Sequence, residues 1–123
     1  NGDNGFFGDF GTLIQNCMAH YNTGDGIEVD EDSMVIACSV KNSGYLGTGS
    51  GVHAAGANNR IEANNLIAND AGVTVDVAGN LIIRNSTSDN TTNYVLTGIQ
   101  TIGPIITATG TVTNLNPWAN FDF

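Results

Sequence analysis

Gly26-Ile27-Glu28-Val29, Gly51-Val52-His53-Ala54 and Gly72-Val73-Thr74-Val75 are three versions of one pattern, and Asn93-Tyr94-Val95-Leu96 continues it without the glycine. The steps from Ile27 to Val52, Val73 and Tyr94 are 25, 21 and 21 residues. A second series interleaves with the first: Ile14, Val35, Ile61 and Ile82, separated by 21, 26 and 21 residues. Three residues after each member stand Cys17, Cys38, Asn64 and Asn85, and five residues further on Asn22, Ser43, Asn69 and Asn90. Small polar residues at a fixed step beyond an apolar strand suit turns. A repeat of about 21 residues built from short strands and turns is one coil of a solenoid. One coil cannot bury its apolar side. Four stacked coils can, with equivalent side chains in ladders about 4.8 Å apart. The long interval in each series has one source, residues 44–51, which read as a loop of about four residues inserted beyond the usual coil.

Alternation assigns the faces. Ile27, Val29, Val52, Ala54, Val73, Val75, Tyr94 and Leu96 are expected to point inward. Glu28, His53, Thr74 and Val95 then form an outward column, with Asp30, Ala55, Asp76 and Thr97 as the next. Ile14, Val35, Ile61 and Ile82 form an inward ladder, and Leu13, Met18, Val40, Leu66 and Ile67 are expected to fill the remaining core. The expected organisation is one domain over 1–123. Residues 1–11, with Phe6, Phe7 and Phe10, form an N-terminal cap or the remnant of a preceding coil; 12–97 form the coils; 98–123 form a C-terminal cap of strands and aromatics onto which Trp118 and Phe121 fold back. A start at Asn1 without Met or a signal segment reads as a mature fragment of a larger protein.

Composition agrees with an all-β chain and excludes several partners. Sixteen glycines and abundant Asn and Thr favour turns and strands, and long helix-forming runs are missing. Three Lys+Arg stand against 12 Asp+Glu, a net charge of −9. Nucleic acid and anionic membrane surfaces demand clustered cations, so neither is an expected partner. No apolar run approaches the roughly 18–20 residues that span a bilayer, so no membrane insertion is expected.

Asn59-Arg60-Ile61-Glu62-Ala63-Asn64-Asn65 and Asn80-Leu81-Ile82-Ile83-Arg84-Asn85-Ser86 resemble the right-handed parallel β-helix repeats of the pectin-lyase-like superfamily, a likeness that covers roughly residues 10–97. The resemblance implies a right-handed parallel β-helix of about four coils of ~21 residues, closed by the C-terminal strand and aromatic cap. It also implies an asparagine ladder in the turn after the second strand. Asn64 and Asn85 stand where that ladder would, and Cys17 and Cys38 depart from it. The superfamily includes lyases, hydrolases, epimerases, tailspikes and adhesins, and its enzymes usually work on the face of the first strand. The motifs of pectate lyases and polygalacturonases, the latter's Asp trio included, find no match here.

Asp25-Gly26-Ile27-Glu28-Val29-Asp30-Glu31-Asp32 is the sharpest polar feature. Glu28 and Asp30, two residues apart on one strand, lie about 6.5–7 Å from each other. That falls within the roughly 6.5–9.5 Å separation of the carboxylates in inverting glycosidases. Glu28 and Asp30, with His53 beside Glu28 on the next coil, are therefore the candidate catalytic set. Asp25, Glu28, Asp30 and Asp32 are the candidate calcium set, calcium being the one cofactor considered. The plain alternative is a solvated acidic face. Asp76 and Trp118 are candidate ligand-binding residues, Trp118 as a stacking platform for sugar rings. Cys17 and Cys38, at one place in successive coils, read as stacked reduced thiols. Lys41, Arg60 and Arg84 all fall away from the Glu28–His53 face, which disfavours uronate lyase chemistry.

The expected function is that of a non-catalytic β-helix module of a larger secreted or surface protein, for display, polysaccharide contact or homotrimer assembly. The alternative is a polysaccharide-active enzyme fragment, a hydrolase rather than a lyase, using the acidic first-strand face. Both readings place the chain outside the cell or on its surface.

Overall fold

A computed structural model describes residues 3–107 and 109–123. Strands of two to five residues follow one another around the coil. They are β1 (Phe6–Gly8), β2 (Leu13–Gln15) and β3 (Met18–His20) in the first turn, and β4 (Ile27–Val29), β5 (Met34–Ile36) and β6 (Ser39–Lys41) in the second. The third turn carries β7 (Ser50–Ala54), β8 (Arg60–Glu62) and β9 (Asn65–Ile67), and the fourth β10 (Ala71–Val75), β11 (Leu81–Ile83) and β12 (Ser86–Ser88). The fifth holds β13 (Thr92–Leu96), β14 (Thr101–Ile102) and β15 (Ile105–Ile106), and β16 (Asn120–Asp122) follows near the C-terminus. Every pairing is parallel, within three sheets that run along the stack. The parallel β-solenoid expected from the repeats is therefore present. It has about five turns where the sequence suggested about four, because Phe6–Gly8 already pairs in register with Ile27–Val29.

The sequence bends at fixed places because each corner combines two devices. One residue adopts the left-handed backbone region, as Asn16, Ala37, Ala63 and Arg84 do with φ between 54° and 59°. The next is a ladder residue whose side chain serves the backbone around the bend. Asn64 Oδ1 accepts the backbone N–H of Cys38, Asn85 Oδ1 that of Asn64, and Asn120 Oδ1 that of Asn85, at 2.9, 3.0 and 2.9 Å. The amide nitrogens of Asn64, Asn85 and Asn120 donate back to the carbonyls of Val35, Ile61 and Ile82. Cys38 stands in the same column, and its thiol faces the Ile14 carbonyl at 3.7 Å. Both cysteines are free thiols, as expected. Similar series run through Ser33, Asn59 and Asn80, and through Ser43, Asn69 and Asn90. A buried amide that satisfies several backbone groups makes the bend stable without water.

The inward columns fill the core. Ile27, Val29, Val52, Ala54, Val73, Val75 and the ladder Ile14, Val35, Ile61, Ile82 are buried, joined by Val40 and Leu66. Leu13 and Met18 are not core residues: they are 57 % and 67 % exposed. Each precedes an inward residue, Ile14 and Ala19, so the pleat turns its side chain outward. Tyr94 is partly buried against the core and Leu96 is exposed, β13 being the edge strand of the first sheet among the described residues.

The C-terminal end is built out of order. The third sheet runs β3-β6-β9-β12-β16-β15, so the strand from the tail lies between β12 and β15. Ser86 pairs with Phe121, and Asn120 with Ile105. The expected cap thus consists of coil strands plus an inserted tail strand, and Asn120 extends the asparagine ladder by one rung. Among the N-terminal aromatics, Phe6 packs on the core while Phe7 and Phe10 are exposed.

Candidate functional site

The first sheet brings together one cluster of titratable groups. The register sets Glu28 of β4 against His53 of β7, as alternation predicts. Asp25, in the turn before β4, reaches the same place. His53 Nδ1 meets Asp25 Oδ2 at 2.9 Å, and His53 Nε2 meets Asp76 Oδ2 at 3.0 Å. Ligand atoms of Asp25, Glu28 and His53 all lie within 4.8 Å of one another. Asp25 is held by the backbone N–H of Ser50 on its Oδ1, and Glu28 by the side-chain amide of Asn4. His53 and Asp25 are mostly shielded, with side chains 21 % and 15 % exposed. The hydrogen bond to Asp25 pushes the His53 pKa up to about 9; the bond to Asp76 and both carboxylate charges add to this, and burial opposes it. At neutral pH the imidazole is a cation between two carboxylates, with no free nitrogen to act as a base.

The cluster takes in Glu28 and His53 of the expected catalytic set, and Asp25 and Glu28 of the expected calcium set. Asp30 lies just past the end of β4, with its carboxylate beside Gly56, outside the Asp25–Glu28–His53 cluster. Asp32 is exposed at a left-handed turn position. Of the four residues in the expected calcium set, the fold brings Asp25 and Glu28 together and leaves Asp30 and Asp32 apart from them. Asp76, expected at a ligand, is the second partner of His53. A groove of about 340 Å³ opens beside the cluster, lined by Asp25, Ser50, His53, Asp70, Thr74 and Asp76. The inserted loop forms its wall at Thr48 and Gly49.

A second constellation lies on another face. Glu62, buried at the end of β8, receives Arg60 Nε at 2.6 Å and Arg84 Nη1 at 2.9 Å. The Arg60 hydrogen bond and the charges of both guanidinium groups hold its carboxyl below the usual range, against the effect of burial. Arg84 also donates to the Pro117 carbonyl and lies 4.5 Å from the ring centroid of Trp118. Trp118, 48 % exposed, borders a groove of about 420 Å³ with Arg60, Leu81, Ile83, Ile102 and Pro104. The sequence did not reveal this network, although Arg60 and Glu62 stand two apart on one strand and Arg84 follows about one coil later.

The family described as right handed beta helix region matches residues 4–115, nearly the whole solenoid. The chain belongs to the right-handed β-helix family. No curated protein and no solved structure matches it. In this right-handed β-helix, Lys41, Arg60 and Arg84 stand on the second and third sheets or their corners, away from the carboxylates of the first.

Proposed function

We propose that this β-helix is a non-catalytic module of the pectin-lyase-like kind, carried by an extracellular or surface protein, and that it holds polysaccharide in the groove beside Trp118. The observation that carries the reading is the groove itself: an apolar floor of Leu81, Ile83 and Ile102, an indole at the rim and the Arg60 guanidinium beside it. Apolar surface with a few oriented polar groups is what ligand sites offer. The C–H face of a sugar ring packs on an indole, and the guanidinium meets hydroxyl or carboxylate groups of the chain. Arg84 fixes the orientation of the indole from one side. Against catalysis, the imidazole of the first sheet is engaged on both nitrogens, and Glu28 is held by the side-chain amide of Asn4.

The test is a panel of neutral and acidic polysaccharides, assayed for retention and for chain cleavage, with and without calcium. Retention without cleavage, lost in a folded Trp118→Ala variant, is the expected result. Retention unchanged in that variant would remove the groove from consideration. Cleavage abolished by Glu28→Gln would replace the module reading with a hydrolase using Glu28, Asp30 and His53.

A further inference from the structure

We infer that Asp25, Glu28 and His53 bind one divalent first-row transition-metal ion, of the kind represented by Zn²⁺ and Co²⁺, with Asp76 orienting the histidine. Three independently positioned elements supply the ligands: the turn before β4, β4 itself, and β7 one coil further on. Their separations suit a small ion. Two ligand atoms each about 2.1 Å from a tetrahedrally coordinated metal lie about 3.4 Å apart, about half an ångström more than a hydrogen-bonded pair. His53 Nδ1 and Asp25 Oδ2 are 2.9 Å apart, and a Glu28 oxygen lies within 4.8 Å of both. One imidazole with two carboxylates favours a transition metal over calcium, which takes six to eight oxygens at longer distances.

The surroundings match what such a centre requires. A metal-bound histidine almost always donates its other ring nitrogen to a carboxylate or carbonyl, and His53 Nε2 faces Asp76 at 3.0 Å. Asp25 Oδ1 is occupied by the Ser50 N–H, which leaves Oδ2 for the ion. Glu28 is steadied by Asn4. The adjoining groove gives access and room for water ligands. On binding, the proton shared by His53 Nδ1 and Asp25 Oδ2 leaves to solvent, and its place is taken by bonds from both atoms to the metal.

The test uses the full chain stripped of metal with a chelator and titrated with Co²⁺ at pH 8, followed by visible d–d absorption, with Zn²⁺ as the calorimetric competitor. One equivalent per chain is expected. Glu28→Gln and His53→Gln should each weaken Co²⁺ binding at least tenfold, and Asp76→Asn about 10–100-fold. His20→Gln, on β3 of the third sheet, should leave it unchanged. Circular dichroism and the urea midpoint establish that each variant is folded, and Asp76→Asn decides the matter should His53→Gln fail to fold. Several results would overturn the inference: no Co²⁺ binding by the folded chain, binding that survives His53→Gln or Asp76→Asn, binding lost in His20→Gln, or a site that takes Ca²⁺ in preference to Zn²⁺. Polysaccharide retention at the Trp118 groove is read separately and does not depend on the outcome.

Discussion

Asn85 gives both its backbone N–H and its side-chain Nδ2 to a single oxygen, Oδ1 of Asn120, at 2.9 and 3.1 Å, across 35 residues of sequence. Asn120 in turn donates to the carbonyls of Ile82 and Gly103, both at 3.0 Å, so one fully buried amide ties the fourth coil to the tail.

Replacing Asn120 by Ala strands two buried donors of Asn85 and takes the side-chain donor from the Gly103 carbonyl, while the Ile82 carbonyl keeps the Gly103 N–H. Each such loss costs about 1–3 kcal/mol, tempered by local relaxation. Asn120→Ala should therefore destabilise by about 2–4 kcal/mol in urea unfolding. A midpoint equal to that of the parent would mean that β16 does not sit beside β12 in solution.

Gly103 is the narrow point of the same construction. A Cβ there would lie 1.8 Å from the carbonyl oxygen of Trp118 and 2.7 Å from its carbon, both backbone atoms that cannot rotate away. Gly103→Ala must push the tail strand outward, at about 1–3 kcal/mol. The Trp118 fluorescence should change with it, because the indole leaves Arg84. An unchanged spectrum and stability would refute the close approach.

Leucines 13 and 66 offer a paired test of the inward register. Leu66 is fully buried and Leu13 is more than half exposed. Leu66→Ala should cost about 2–5 kcal/mol, and Leu13→Ala less than about 1 kcal/mol. Equal losses would mean that the third sheet is not facing the core as described.

Glu62 supplies the pH test. Its carboxyl titrates lower in the folded chain than in the unfolded one, so its contribution is complete above the ordinary glutamate range. It disappears as pH falls through the lowered value. Glu62→Gln should be less stable than the parent at pH 7 by about 1 kcal/mol, a modest figure because both arginines are partly solvated. The gap should narrow as pH falls below the ordinary glutamate range and through the lowered value. A gap that does not narrow as the chain is acidified would show that the charge on Glu62 contributes nothing.

The solenoid was legible because a 21-residue period in both Ile27–Val52–Val73–Tyr94 and Ile14–Val35–Ile61–Ile82 leaves few other folds, and the register that sets Glu28 against His53 follows from it. The apolarity of Leu13 and Met18 points inward, whereas the pleat dictates the opposite once Ile14 and Ala19 face the core. The Asp25–His53 contact was out of reach of the period. Asp25 lies in a turn, outside any strand register, and the contact depends on side-chain torsions that spacing does not encode. The rung at Asn120 was hidden for a different reason: its 35-residue separation from Asn85 breaks the repeat, since the chain leaves the coil after β15 and comes back.

That return constrains the order in which the molecule can assemble. A solenoid otherwise grows by adding each strand to the one synthesised a coil earlier, a chain of nearest-neighbour steps. At β12 the rule fails, because the strand that belongs on it is made after the strand that lies beyond it. Ile105–Ile106 must either wait unpaired or dock on β12 prematurely and be displaced when Asn120–Asp122 arrives. The last step is therefore an insertion rather than an addition. It makes one pairing depend on a strand that comes out of order, in a fold whose other contacts join successive coils.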